Sequence, residues 1–221
     1  MAVGVEMDEA RHMAIIANRS EWYTFCMKYR IGIDEVGRGP IAGPVAVGAF
    51  VFLDKKASNF FKGVKESKQL TEEKRELWFA KILEGQKKSL IDFSVVFQSE
   101  KVIDSKGISF AIKKCLSVSL ANLSIKPTDA LVLLDGGLKA PEEYKNQKTI
   151  IKGDTKEQVI ALASICAKVL RDRKMREWAK KHPNYGFEVH KGYGTKKHYE
   201  ALKKHGTVTL HRLSFLQKKP I

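Results

Sequence analysis

The sequence has few cysteines and no long apolar segment. Only three of its 221 residues are cysteines, Cys26, Cys115 and Cys166. Their odd number and spacing match neither a disulfide framework nor a zinc site, so we expect reduced thiols in a cytoplasmic protein. No apolar run approaches the roughly 20 residues of a membrane span. The first residues lack the basic and apolar regions of a secretory signal, so we expect no membrane association.

Acidic residues are scarce relative to basic ones. The chain has 25 Asp and Glu against 40 Lys and Arg, which gives a net charge of +15 and a pI near 9.7. This excess favours a polyanionic partner, of which nucleic acid is the commonest, although a lysine-rich surface also serves solubility. The basic residues crowd positions 168–219, where aromatic residues and glycines lie among them. That distribution favours nucleic acid.

The most informative segment is 31–44, where an apolar run ends in two adjacent carboxylates, Asp34 and Glu35. Three glycines and two prolines follow, so no regular element continues directly. The apolar run resumes at Val45 as a β-branched, aromatic strand. The acids are therefore predicted at a strand end, beside a loop that exposes backbone N–H groups and Arg38. That combination suits a divalent metal and a phosphate approaching from the same side.

Hydrophobic periodicity predicts one α/β domain with a central mixed sheet of about five strands, helices on both faces and a helical C-terminal portion. We expect a leader over residues 1–28, with helix-compatible apolar spacing, and a single domain over 29–221. The predicted strands are 30–35, 44–53, 90–97, 130–134 and 149–152. The first predicted helix begins after an N-cap at Thr71. Four more begin at positions 99, 107, 158 and 196, and the helix that begins at 107 ends at Leu123.

Carboxylates follow three of these predicted strands: Asp34 with Glu35, then Asp135, then Asp154. Singly, Asp135 suits a turn, Asp154 suits an N-cap, and Glu35 suits a solvated edge. Together, acids delivered to one edge of a sheet repel each other unless cations neutralise them. Oxygen ligands without a Cys/His cluster indicate Mg²⁺ or Mn²⁺. Two such ions roughly 3.5–4 Å apart support phosphodiester cleavage.

A series of motifs, in order along residues 30–215, resembles the ribonuclease HII family, the type 2 ribonucleases H. The motifs are Gly32-Ile33-Asp34-Glu35-Val36-Gly37-Arg38-Gly39-Pro40, Ser67-Lys68-Gln69-Leu70, Leu134-Asp135-Gly136, Lys152-Gly153-Asp154, Ala163-Ser164-Ile165-Cys166-Ala167-Lys168, His190-Lys191-Gly192-Tyr193-Gly194-Thr195 and His211-Arg212-Leu213-Ser214-Phe215. The resemblance implies a ribonuclease H-like fold. It also implies a metal-dependent endonuclease that hydrolyses the RNA strand of RNA–DNA hybrids and cuts 5′ of ribonucleotides embedded in duplex DNA.

The resemblance also assigns roles residue by residue. The catalytic acids, which hold two Mg²⁺ or Mn²⁺ ions, would be Asp34, Glu35, Asp135 and Asp154. The substrate-binding residues would be Gly37, Arg38 and Gly39 at the ribonucleotide 2′-hydroxyl, Tyr193 at the following deoxyribose, and Ser67 and Lys68 at a backbone phosphate. We expect a monomer that acts on RNA–DNA hybrid or ribonucleotide-containing DNA, and contact with a replication clamp is left open.

Two other function classes fit parts of the sequence. A non-catalytic hybrid-binding module would use the basic surface and Tyr193 but would need none of the acids. A different two-metal nuclease on the same fold would cut all-DNA duplexes and would not need the Gly37–Gly39 loop with Tyr193. In the C-terminal third, we expect Arg171 and Asp172 to pair locally, and His211 and Arg212 to close the tail against the domain.

Overall fold

Five strands form one mixed sheet in this computed structural model, which describes residues 27–54 and 56–217. The strands are β1 (Tyr29–Val36), β2 (Val45–Phe52), β3 (Ile91–Gln98), β4 (Ala130–Asp135) and β5 (Gln147–Ile150). Their spatial order is β3-β2-β1-β4-β5. β2 pairs antiparallel with both β1 and β3, whereas β4 pairs parallel with both β1 and β5. The predicted mixed five-stranded sheet is confirmed. Cys26 and almost all of the expected leader lie outside the described residues.

Helices cover both faces of the sheet. They are α1 (Ala57–Phe60), α2 (Glu72–Lys87), α3 (Glu100–Lys106), α4 (Ile108–Asn122), α5 (Gly153–Lys156), α6 (Gln158–Lys181), α7 (Phe187–His190), α8 (Lys196–His205) and α9 (Leu213–Leu216). α3 and α4 pack on one face, and α1, α2 and α6 on the other. A third apolar cluster joins the end of α6 to α7, α8 and α9, which confirms the helical C-terminal portion. Within the described residues, no helix is long and apolar enough to cross a bilayer.

Most predicted elements occur, and their ends show why some bounds differ. Thr71 caps α2 as expected, because its side chain accepts a hydrogen bond from the Lys74 N–H. The fifth strand ends at Ile150, two residues earlier than predicted. Ile151 is 75% exposed and Lys152 has a left-handed backbone with φ of 54°, so the chain leaves the sheet there. Cys115 and Cys166 are buried free thiols, as expected.

Two glycines allow α6 to lie directly on the sheet. A Cβ atom on Gly32 of β1 would fall 2.2 Å from the carbonyl carbon of Val159. A Cβ atom on Gly48 of β2 would fall 2.4 Å from the carbonyl oxygen of Ala163. Since both neighbours are backbone atoms of α6, neither can move aside without shifting the helix. The strand glycines therefore set the distance between α6 and the sheet.

We expect Gly32→Ala to lower the free energy of unfolding by about 3 kcal/mol, because the added methyl group overlaps helix backbone. Gly137→Ala is the matched control, since a Cβ atom there meets nothing within 4 Å. Urea denaturation of both variants checks this expectation. Equal stability of the two variants would contradict it.

Candidate active site

The sheet pairing brings three carboxylates together. β1 and β4 are parallel neighbours with Ile33 opposite Leu134, so Asp34 and Asp135 follow at the same edge of the sheet. Asp154 joins them from the short helix α5. One carboxylate oxygen from each residue lies within 4.8 Å of the other two. The predicted convergence of Asp34, Asp135 and Asp154 is confirmed.

Backbone donors fix the orientation of two of these acids. Asp34 Oδ1 accepts a hydrogen bond of 2.8 Å from the Glu35 N–H. Asp135 Oδ1 accepts one of 2.6 Å from the Gly153 N–H, which ties α5 to the end of β4. A side chain on Gly153 would come within 2.6 Å of Ile160 and 3.3 Å of that same Asp135 oxygen. Glycine therefore permits the close approach that places Asp154 beside Asp135.

The cluster is electrostatically unfavourable without a cation. Asp34 is 6% exposed. Burial raises the pKa of Asp34 to about 7; a hydrogen bond from Ser164 opposes the rise, and repulsion by Glu35, Asp135 and Asp154 adds to it. A raised carboxylate pKa means that the folded protein disfavours the negative charge at this position. A bound cation would remove that penalty.

Asp154 supplies an independent indication of a cation site. Its Oδ2 atom is buried and accepts no hydrogen bond from the described residues. The Lys68 ammonium lies 3.5 Å away, at ion-pair distance, but its side chain is 77% exposed. Buried carboxylate oxygens normally have partners. A buried carboxylate oxygen whose nearest charged partner is an exposed ammonium group, in a cluster of three acids without a sulfur or imidazole ligand, fits a hard divalent cation.

Glu35 lies outside the cluster of three. Successive strand residues point to opposite faces, so its carboxylate leaves β1 on the side away from Asp34. It pairs with Arg38 at 3.4 Å. Burial raises the pKa of Glu35 despite a backbone hydrogen bond and the Arg38 guanidinium, which both act against the rise. The structure thus joins three of the four predicted acids and places the fourth at their margin.

The Gly37–Gly39 loop and the Tyr193 loop are docked on each other. The Gly192 carbonyl accepts hydrogen bonds from the N–H groups of Ile41 at 2.9 Å and Ala42 at 3.2 Å. A Cβ atom on Gly39 would lie 3.9 Å from the Tyr193 ring. Tyr193 is 46% exposed, which agrees with the prediction of a ring outside the core. The two segments that the resemblance assigned to the ribonucleotide and the next sugar form one continuous surface.

Two histidines hold the main chain of Tyr193: His198, which is buried, through its ring, and His190, which is half-buried, through its carbonyl. The Tyr193 carbonyl lies 2.9 Å from His198 Nδ1. The Tyr193 N–H donates to the His190 carbonyl at 2.9 Å. His198 Nε2 lies 3.1 Å from His211 Nε2. Burial lowers the pKa of His198 to about 4, so the ring is neutral at pH 7. A neutral ring has one N–H, so if Nδ1 of His198 donates to the Tyr193 carbonyl, Nε2 of His198 accepts from Nε2 of His211.

The Ser67-Lys68 segment lies on the other side of the acids. Ser67 is buried, and its hydroxyl lies 2.8 Å from the Ser164 hydroxyl. Since a hydrogen bond from Ser164 also lowers the pKa of Asp34, the Ser164 hydroxyl links Ser67 to that acid. Arg75 donates to the carbonyls of Ser67 at 3.0 Å and Leu70 at 2.5 Å, which fixes this segment. Burial alone lowers the pKa of Lys68, but nearby carboxylates, chiefly Asp154 and Asp34, outweigh burial and raise it.

Sequence reasoning missed three residues that support this site. Ser164 belongs to a motif of the resemblance that assigns it no role, and a serine on a buried helix face gives no signal of a bond to Asp34. The expected local pairing is confirmed for Asp172 but is wrong for Arg171. Arg171 instead donates to the carbonyls of Pro44, Lys191 and Ala42, and Asp172 pairs with Lys168. Arg212 closes the tail as expected, but its donors also reach the Gly37–Gly39 loop.

A cleft of about 500 Å³ opens beside Arg38, on the face of the sheet that α4 covers. Its walls are α4 and the segment after β4, contributed by Ser109, Ile112, Lys113, Leu116 and residues 137–143. The three clustered acids do not line it. The cleft therefore adjoins the loop and not the carboxylates.

Comparison with known proteins agrees with this geometry. Residues 31–218 match the family model described as Ribonuclease HII. The chain is 48% identical over 184 residues to Ribonuclease HII of Endomicrobium trichonymphae, covering 83% of each chain. It is 46% identical over 190 residues to Ribonuclease HII of Caldicellulosiruptor bescii, covering 86% of this chain and 87% of that relative.

Solved structures share the fold. Ribonuclease H2 from Pyrococcus horikoshii OT3 superposes with a TM-score of 0.69 at 26% identity, covering 86% of this chain and 96% of that one. The ribonuclease HII in a PCNA complex from Archaeoglobus fulgidus gives 0.67 at 25% identity, covering 83% and 93%. The predicted ribonuclease H-like fold is confirmed. The chain belongs to the ribonuclease HII family, endonucleases that act on the RNA of RNA–DNA hybrids.

Proposed function

We propose that this protein hydrolyses the RNA strand of RNA–DNA hybrids and also cuts on the 5′ side of single ribonucleotides in duplex DNA. The products would carry 3′-hydroxyl and 5′-phosphate ends, as ribonucleotide removal during DNA replication and repair requires. The domain that does this would span residues 29–221. The observation that carries the proposal is the cluster of the buried Asp34 and Asp154 with the half-buried Asp135, in which the Oδ2 atom of Asp154 accepts no hydrogen bond from the described residues.

The acids fit a site for two Mg²⁺ or Mn²⁺ ions. Asp34 and Asp135 are central, because they are adjacent at the sheet edge, and Asp154 with Glu35 would complete the ligands on either side. When bound, such ions activate water and stabilise the leaving oxygen in phosphodiester hydrolysis. The protein's own contribution is to hold the carboxylates in place through the N–H groups of Glu35 and Gly153.

The joined loops fit recognition of a ribonucleotide followed by a deoxyribonucleotide. Gly37, Arg38 and Gly39 would contact the 2′-hydroxyl, the group that distinguishes RNA from DNA at one position. Tyr193 would pack on the next sugar, and the docking of its loop on Ile41 and Ala42 keeps the spacing of the two contacts constant.

The exposed Lys68 ammonium is the group best placed to contact a backbone phosphate on the opposite side of the acids. Ser67 would act by holding this segment, since its hydroxyl is bound to Ser164. A phosphate beside Lys68 would compete with Asp154 for the ammonium group. Sequence-independent contacts of this kind make binding weaken steeply as salt increases.

The first prediction of the proposed function concerns cleavage. On a labelled DNA duplex with one ribonucleotide, the wild-type protein with Mn²⁺ should cut 5′ of the ribonucleotide, and EDTA should prevent cutting. Asp34→Asn should reduce the rate by a factor on the order of 10³, equivalent to about 4 kcal/mol of lost transition-state stabilisation. The matched control is Asp54→Asn, because Asp54 is an exposed acid that follows β2 at the opposite edge of the sheet.

The outcomes distinguish the function classes. Binding to the duplex without cutting, both with Mn²⁺ and with EDTA, would support a non-catalytic module. Equal cutting of an all-DNA duplex would support a different two-metal nuclease. Either result would overturn the proposal.

The second prediction concerns metal binding without substrate. Mg²⁺ or Mn²⁺ should raise the Tm of the wild-type protein, because a cation removes repulsion among buried carboxylates, and EDTA should reverse the rise. Asp34→Asn should be at least as stable as the wild type in EDTA, since it removes a buried charge while keeping the shape of the side chain. Differential scanning calorimetry measures both effects. An equal metal-induced rise in Tm for both proteins would argue against these ligands.

The third prediction concerns the RNA–DNA step. Tyr193→Ala should lower kcat/KM on a single embedded ribonucleotide by about tenfold, the loss of roughly 1.4 kcal/mol of sugar packing. Cutting of a long RNA–DNA hybrid should change less than threefold. Tyr193→Phe is the control, because it keeps the ring and should retain the preference. A Tyr193→Ala protein with the wild-type ratio of the two activities would exclude this role.

A further inference from the structure

Arg212 is a fully buried arginine that binds three carbonyl groups of the segment between β1 and β2. It has no exposed surface. Its guanidinium donates to the carbonyls of Gly37 at 2.7 Å, Arg38 at 3.1 Å and Gly43 at 2.9 Å. Among the described residues, no carboxylate lies within ion-pair distance of it.

A buried cation without an anionic partner is unfavourable for folding. Burial and the neighbouring Arg171 lower the pKa of Arg212 to about 9, although Asp104 and Glu100 oppose the fall, so the group is still charged at pH 7. An apolar side chain of similar volume would fill the space without this desolvation cost. The arrangement therefore has to be explained by what the guanidinium does to the loop.

The hydrogen bonds determine which way two peptide groups face. None of the described peptide bonds is cis, and in a trans peptide the C=O and N–H point in opposite directions. With the carbonyls of Gly37 and Arg38 directed inward to Arg212, the N–H groups of Arg38 and Gly39 point outward. Both residues are exposed, and no acceptor among the described residues takes either N–H. The φ of 89° at Gly37 makes this turn possible.

We propose that Arg212 is a positioning residue for ribose recognition: it holds the N–H groups of Arg38 and Gly39 toward the 2′-oxygen of the ribonucleotide. This inference rests on the proposed function and names the group that makes the loop selective. A cation bound at the carbonyl end of a peptide group also polarises that group, so the outward N–H becomes a stronger donor.

The tail delivers Arg212 to the loop from a separate part of the chain. The Arg212 N–H donates to the Ile41 carbonyl at 2.8 Å. Asp104 of α3 then accepts from the N–H groups of Leu213 at 2.9 Å and Ser214 at 3.0 Å, and from the Ser214 hydroxyl at 2.6 Å. Displacing this anchor should weaken the position of Arg212 without removing its charge.

The test measures ribose discrimination. In EDTA, the Kd for a duplex with one ribonucleotide is compared with the Kd for the matching all-DNA duplex; with Mn²⁺, kcat/KM is measured on the first duplex. Arg212→Lys keeps the charge but cannot form the fork to three carbonyls. It should bring the ratio of the two Kd values close to 1 and lower kcat/KM at least tenfold, while the Kd for all-DNA duplex changes less than twofold.

Two further variants separate positioning from stability. Ile82→Ala removes a fully buried side chain of α2 in the apolar cluster beneath α1, α2 and α6. It should lower the Tm without changing the ratio of Kd values. Asp104→Ala keeps Arg212 itself and should reduce the ratio of the all-DNA Kd to the ribonucleotide-duplex Kd about threefold. This variant therefore also tests the inference if Arg212→Lys does not fold.

The outcomes are distinct. If the wild type does not cut at the ribonucleotide, the proposed function fails and this inference fails with it. If the wild type cuts there but Arg212→Lys or Asp104→Ala keeps the full ratio of Kd values, the inference alone is overturned. An equal loss of the ratio in Ile82→Ala would also overturn it, because the effect would then be general destabilisation.

Discussion

The cost of burying the negative charge of Asp34 beside two other carboxylates is the constraint around which the site is built. The parallel pairing of β1 with β4 puts Asp34 beside Asp135, and burial raises the pKa of Asp34 to about 7. Backbone N–H groups orient two of the carboxylates, Asp34 and Asp135, and so hold the acids close together. The folded chain therefore favours a cation at this edge before any substrate arrives.

The long helix α6 connects the fold to this constraint. Gly32 and Gly48 let its backbone lie against β1 and β2, which brings Ser164 within reach of Asp34 and Ser67. Two turns further on, Arg171 of the same helix fixes carbonyls before β2 and beside the Tyr193 loop. One helix thus positions both the acids and the loops, because small residues in strand and helix permit close contact.

Sequence could predict the elements whose causes are local. Alternating and continuous apolar runs located five strands, and Thr71 located the start of α2. The convergence of Asp34, Asp135 and Asp154 was predictable because strand ends meet at one edge of a sheet. The partners of Arg171 were not, since they lie 20 to 129 positions away along the chain. The exit from β5 at Ile150 was missed because the residue with the left-handed backbone, Lys152, is a lysine, a residue type that does not signal such a turn.

Recognition and cleavage share a strand in the proposed function. Gly37 follows Asp34 by three residues, so the loop that would read the 2′-hydroxyl begins where the metal ligands end. A shift in the register of β1 would displace both, and it would also move Asp34 away from Asp135 on β4. In the proposed function, the chain from Asp34 to Gly39 would set the distance between the cut bond and the recognised ribose. The C-terminal tail would hold the direction in which the loop faces. A cut at a constant position relative to the ribonucleotide would follow from that arrangement.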